Sequence, residues 1–286
     1  MDYVIKVWTN TISLFINLKK IICLELYAIK IKTVSLHKTL SMDISQTSQK
    51  LERYHSLKGK NIMPSLYRWK KQGMVAHVRK GIYLPSDLQD KFRIACNAVE
   101  EGCLVYHAAL EYYSLQTQEF NWLYVHSSSI FRTFTYQGES YIYKPVKFLY
   151  KPLVVDKDNP YPIRVTSINQ TLIDCLYNIN LAGGLEELLY AISELDHTLV
   201  NEKDMLHCLE LYGSKSLFQR AGFVLSHFKD DLRLSDYFFK ACKEGMGKNI
   251  SYLINPYYCD SFSKEWKLCI PANAMKEIQK DCYYEI

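Results

Sequence analysis

Asn61-Ile-Met-Pro-Ser-Leu-Tyr-Arg-Trp-Lys-Lys-Gln-Gly73 runs directly into Met74-Val-Ala-His-Val-Arg-Lys-Gly-Ile-Tyr-Leu-Pro85. The first half reads as a helix. Pro64 fits its first turn, where a missing N–H costs nothing, and Gly73 is the usual left-handed exit residue. On a helical wheel Ile62, Leu66, Trp69 and Gly73 share one side, and Pro64, Tyr67, Arg68 and Lys71 the other. The second half reads as two short β runs, Met74 to Val78 and Ile82 to Leu84, joined through Arg79-Lys80-Gly81 and stopped by Pro85.

Upstream, Ile31 to Leu40 and Ser45 to Leu57 are amphipathic candidates, broken from the helix that opens at Pro64 by Lys58-Gly59-Lys60-Asn61. Residues 31–88 therefore predict helix, helix, helix, hairpin, the order of a winged helix-turn-helix. Charge agrees with this. Between Lys50 and Lys80 there are nine Lys or Arg against a single acid, Glu52, a net +8 that leaves −3 on the remainder of a chain totalling +5. A short basic block on a slightly acidic body is the footprint of a module that meets a polyanion. Arg68, Lys71 and Tyr67 suit base edges and phosphates in a major groove. Ser65 sits where a phosphate meets a helix N-terminus. Lys60, in the break before this helix, is a further DNA-binding candidate, and the hairpin residues Arg79 and Lys80 are placed to reach flanking phosphates or the minor groove. The partner expected on these grounds is double-stranded DNA.

Beyond residue 88 the pattern changes. Helical stretches are expected at Phe92–Glu101 and Val105–Leu115. Strand-like runs follow at Trp122–Val125, Phe131–Thr135, Tyr141–Tyr143, Val146–Tyr150, Leu153–Val155 and Ile163–Thr166. Helices then dominate, at Ile168–Tyr177, Leu185–Leu195, Glu202–Leu211, Lys215–His227 and Ser235–Cys242, before a late strand at Trp266–Ile270. Strands in one block and helices in another predict an α+β fold: an N-terminal winged helix-turn-helix at 31–88, then a larger α+β domain at 89–286 with antiparallel or mixed strands.

Residues 1–30 form an extension outside this plan. Their longest uncharged run, Val7 to Leu18, is too short for a bilayer span of about 20 residues. Lys19 and Lys20 follow it without a small-residue cleavage site, so neither a membrane anchor nor a secretory signal is expected, and Met42 is a candidate alternative start. Nine cysteines are scattered singly with no Cys-x-x-Cys pair, which fits a reducing cytoplasm and neither a zinc site nor a disulfide framework.

Two enzymatic readings compete. Asp156-Lys-Asp158 has the carboxylate pair of a nucleotidyltransferase, but no Gly-Ser pair precedes it, and Asn159-Pro160 makes it a turn. Asp260 with Glu265-Trp266-Lys267 has the parts of a magnesium nuclease, in a short match that chance supplies often. The eight histidines show no metal-ligand spacing, and Gly183-Gly184 lacks the Lys and Ser/Thr of a phosphate loop, so it reads as a helix-initiating turn. The expectation is a non-catalytic protein without cofactor or metal. An interaction protein that does not bind DNA is the other alternative.

Tyr67-Arg-Trp-Lys-Lys-Gln-Gly-Met-Val-Ala-His-Val-Arg-Lys-Gly-Ile-Tyr-Leu-Pro85 resembles the winged-helix end of the AbiEi family, antitoxins and transcriptional regulators of bacterial abortive-infection systems. Tyr106-His-Ala-Ala-Leu-Glu-Tyr-Tyr113, Arg164-Val-Thr-Ser-Ile-Asn-Gln-Thr-Leu-Ile-Asp-Cys175 with Leu181-Ala-Gly-Gly-Leu-Glu-Glu-Leu188, Arg220-Ala-Gly-Phe-Val-Leu225 and Trp266-Lys-Leu-Cys-Ile-Pro271 resemble later parts of the family in the same order. The likeness spans residues 45–275. It departs at Asn169-Gln170, which replaces the family's usual charged pair. The resemblance implies a repressor that binds inverted repeats upstream of its own operon, and a larger domain that counters a nucleotidyltransferase-like toxin without requiring a stable complex with it.

Overall fold

The computed structural model describes residues 63–271, and the two helices expected before residue 58, with Lys60, lie outside them. Among the described residues, 63–88 with 158–160 form one compact unit, and 89–157 with 161–271 another. The whole is a mixed α+β structure.

In the first unit, helix α1 (Met63–Lys71) is followed by strands β1 (Val75–Arg79) and β2 (Ile82–Pro85), paired antiparallel. Gly73 ends the helix in the left-handed conformation, φ +70°. Its N–H bonds to Lys70 O at 3.1 Å, and that of Met74 to Trp69 O at 2.9 Å, satisfying carbonyls the helix leaves open. Leu66, Val75, Ile82 and Leu84 are buried. The register pairs Arg79 with Ile82, so the turn is only Lys80-Gly81, with Gly81 at φ +78°, and the pairing shifts between His77 and Arg79 as in a β-bulge.

In the second unit, α2 (Lys91–Asn97) is capped by Asp90, whose carboxylate accepts from Phe92 N at 2.9 Å and Arg93 N at 3.3 Å. A six-stranded mixed sheet follows, built from β3 (Cys103–Leu104), β4 (Trp122–His126), β5 (Phe134–Tyr136), β6 (Glu139–Tyr143), β7 (Leu153–Val155) and β8 (Ile163–Val165) in the order β5-β6-β4-β3-β8-β7. The β3/β8 and β4/β6 pairs are parallel and the others antiparallel. Helix α3 (His107–Tyr112) leaves β3 toward β4.

The C-terminal half is helical: α4 (Ile168–Tyr177), a 3-10 turn (Ile179–Ala182), α5 (Leu185–Ser193), α6 (Glu202–Tyr212), α7 (Lys215–Ser226) and α8 (Asp236–Gly245). Every residue of α4 from Ile168 to Leu176 is buried, so this helix is the axis around which the core forms. Leu172, Leu176, Leu188, Leu209, Leu217, Val224 and Phe238 pack in one apolar cluster with it. A small sheet of β9 (Ser251–Tyr252), β10 (Ser261–Ser263) and β11 (Leu268–Ile270) closes the unit.

Three expectations need correcting. The helix expected at Val105–Leu115 is His107–Tyr112, and the apolar run before it supplies β3, one of the two central strands of the sheet. The helix expected at Phe92–Glu101 stops at Asn97. The strand expected at Val146–Tyr150 is not one: its backbone bonds to a side chain. Gln170 Nε2 donates to Phe148 O at 2.8 Å and to Asp174 Oδ2 at 3.2 Å, while its Oε1 accepts from Tyr150 N at 2.8 Å. One buried amide thus stands in for a neighbouring strand.

Candidate functional site

The described candidates begin on α1. Tyr67 is 73% exposed and Arg68 and Lys71 are exposed, while Leu66 is buried and Trp69 half-buried. The helix therefore turns its apolar edge inward and leaves the Tyr67/Arg68/Lys71 edge in solvent, as the wheel requires. Ser65 falls in the first turn, which contains no acid. Arg68, Lys70 and Lys71 fall in the last, where the helix dipole also favours cations.

On the hairpin Lys80 is exposed at the turn, with His77 beside Tyr83 across the strands, ring centroids 5.0 Å apart. Arg79 is placed differently from the expectation. As the last paired residue of β1 it is half-buried, and burial pulls its guanidinium below the ordinary value. The two-residue turn is the reason: it leaves Lys80 alone as the cation at the tip.

Two acids of the enzymatic alternatives, Asp156 and Glu265, have other partners. Asp156, in the left-handed region at φ +51° after β7, accepts from Arg93. Glu265 pairs with Lys243 at 2.6 Å, beside the buried ring of Trp266. Among the described residues no group of three or more His, Cys, Asp or Glu is arranged to hold a metal ion. Gly183 and Gly184, at φ +101° and +112°, form the turn that starts α5.

Two buried polar centres were not singled out by sequence. Asp174 lies within α4, accepting from Tyr212 OH at 2.5 Å and from Gln170 Nε2. Burial raises its carboxyl to about 7 against the pull of these two bonds. His107, 1% exposed, has Nε2 3.4 Å from Glu187 Oε1, but at an angle that leaves both ring nitrogens without a hydrogen bond. Burial holds its pKa below the usual histidine value. Glu187 in turn accepts from Thr117 N at 2.8 Å, Gln118 N at 3.3 Å and the Thr117 hydroxyl. Hydrophobic patterning hides such groups because Asp174 and Glu187 sit at helix positions facing the core. All seven described cysteines are free thiols.

Among the described residues no helix is long and apolar enough to cross a membrane. No family model and no curated protein matches the chain. Its fold is similar to that in the crystal structure of the RV2827C protein from Mycobacterium tuberculosis, with a TM-score of 0.53 over 86% of this chain and 92% of that one, at 12% identity. At that identity the likeness describes a shared fold over most of both chains.

Proposed function

We propose that this chain is a cytoplasmic, non-catalytic DNA-binding regulator whose N-terminal unit is a winged helix. In this reading α1 is the recognition helix and the β1–β2 hairpin the wing. The carrying observation is the exposed Tyr67/Arg68/Lys71 edge of α1, opposite buried Leu66 and followed by a tight hairpin with Lys80 at its turn. Arg68 reads a base edge, Tyr67 and Lys71 support it, and Lys80 meets phosphate. In keeping with the AbiEi resemblance, the DNA is an inverted-repeat operator upstream of the chain's own operon. The larger α+β domain counteracts a nucleotidyltransferase-like toxin encoded beside it.

The test is a gel-shift series on the upstream region at several salt concentrations. Arg68→Ala should weaken operator binding by about 1–3 kcal/mol. Lys80→Ala should weaken binding to all DNA and reduce the salt slope by about one. Unchanged affinity in the Arg68→Ala, Lys71→Ala double variant sinks the recognition-helix assignment. Toxin neutralisation, followed by growth rescue, should survive both substitutions.

A further inference from the structure

In the second unit a cavity of about 600 Å³ opens between the end of α4, the 3-10 turn, the start of α5, α7 and the segment after β9. That volume is within the usual range for small-molecule sites, about 300–1,000 Å³. Its lining contains one cation, Arg220, and no acid. Arg220 is fixed by two main-chain bonds, Nε to Tyr252 O at 2.9 Å and Nη1 to Tyr177 O at 3.0 Å. These bonds use two of the five guanidinium protons. Among the described residues no carboxylate lies within ion-pairing distance of Arg220, and burial lowers its pKa, as expected for a cation whose charge the protein leaves unbalanced.

The other polar lining is equally unspent. The side-chain amides of Asn178 and Asn180 make no hydrogen bond to described residues. Asn255 uses its Oδ1 for Tyr257 N and keeps its amide protons. Leu185, Leu253, Ile254 and Pro256 supply an apolar wall, and Tyr177, 46% exposed, is held by stacking on Tyr212 with ring centroids 4.5 Å apart. A fixed guanidinium, free amides and an apolar wall in one concavity form an anchor, orienting groups and a bed for a ligand body.

We propose that this cavity binds a small organic anion, with its phosphate or carboxylate on Arg220 and an aromatic or apolar body against the Leu185–Leu253–Pro256 wall. The site is separate from the basic helix, and the inference does not depend on DNA binding. The test is calorimetric titration of the full chain with four probes: adenosine 5′-monophosphate, indole-3-acetate, inorganic phosphate and uncharged adenosine. The two organic anions distinguish a phosphate source from a carboxylate one. At least one of them should bind saturably in the micromolar to low millimolar range, with adenosine silent and inorganic phosphate clearly weaker.

Arg220→Gln should abolish the signal. Because that change also removes two ties to the main chain, Asn180→Asp is the companion variant. Asn180 is exposed and makes no internal side-chain bond, so this change adds one negative charge at the rim without disturbing packing. It should weaken binding about fivefold, the effect of one screened charge, while Asn180→Lys tightens it. Absence of saturable binding by either organic anion overturns the proposal. So does inorganic phosphate binding as tightly as the organic anions, or an affinity indifferent to the sign of the charge at position 180.

Discussion

Replacing Gly222 by Ala tests the packing of the second unit at its tightest point. Gly222 is inside α7, where alanine normally stabilises a helix by about 1 kcal/mol relative to glycine. Here an added Cβ would lie 2.0 Å from Trp266 Cζ3, 2.4 Å from Cη2 and 2.5 Å from Cε3. Ordinary contact begins near 3.4 Å, so the indole would have to retreat by about 1.4 Å. It has little room to do so. Trp266 is 3% exposed, with Phe239 edge-on at 6.5 Å between ring centroids and Lys243 Nζ 5.5 Å from the ring centre. Overpacking of this kind costs about 1–3 kcal/mol, and a rigid ring meeting backbone belongs at the upper end, so the net expected loss is about 2 kcal/mol. For a unit of this size that lowers Tm by about 4–8 °C. Trp266→Leu costs stability alone, but should cost less when Gly222 is already Ala, with a coupling of at least about 1 kcal/mol in the double-mutant cycle. Thermal melts of the four proteins decide it. A Gly222→Ala protein as stable as the parent, or a strictly additive double variant, refutes the reasoning.

The Asp174 carboxyl, raised to about 7, binds its proton more tightly folded than unfolded. Its contribution to stability is therefore complete below about pH 4 and declines as pH rises toward 7; Asp174→Asn should remove that decline from urea-unfolding curves taken across the window. A carboxyl NMR signal titrating near 4 would contradict the assignment. Glu187→Ala leaves the amides of Thr117 and Gln118 without their acceptor and should cost about 1–3 kcal/mol in chemical denaturation, whereas a change below about 0.5 kcal/mol, no more than a surface substitution causes, would show that water replaces the carboxylate. Gln170→Leu should speed hydrogen exchange at Tyr150 N more than at the sheet amides, because that donor has no ladder to fall back on.

Local chemistry made much of this fold legible. The helix at Ile168–Tyr177 was readable to the residue from its unbroken helical run, and the structure adds a cap at Ser167, whose hydroxyl accepts from Gln170 N at 3.4 Å. The exit at Gly73 was marked by the residue that adopts positive φ without a Cβ penalty. Cys103–Leu104 escaped because a two-residue strand has no period of its own. Only its distant partners, Val125 and His126 on one side and Val165 on the other, define it. Val146–Tyr150 misled for the converse reason: it has strand composition, but Gln170 takes the bonds a strand would need. On α1, exposure at Tyr67, Arg68 and Lys71 was foreseeable from spacing, whereas the partial burial of Arg79 depended on a turn one residue shorter than sequence implied. Arg220 lay within a recognisable stretch, yet its role as the sole cation of a cavity required the distant segment 253–256 to be brought beside it.

The strand order of the six-stranded sheet also constrains the time course of folding. Leu104 is paired with Val165, so the link between the β5-β6-β4 half and the β8-β7 half exists only after a closure of some sixty residues. Closing such a loop carries an entropic cost that grows slowly with length, but it must be met before the β3/β8 pairing repays it. On a ribosome, the β3–β6 portion emerges first and must wait with one side of β3 unpaired until Val165 is free of the exit tunnel. The interval is when this chain is most open to capture by another strand. A nascent chain stalled before residue 163 should therefore be cleaved by protease at the β3 edge far faster than one stalled after the sheet can close.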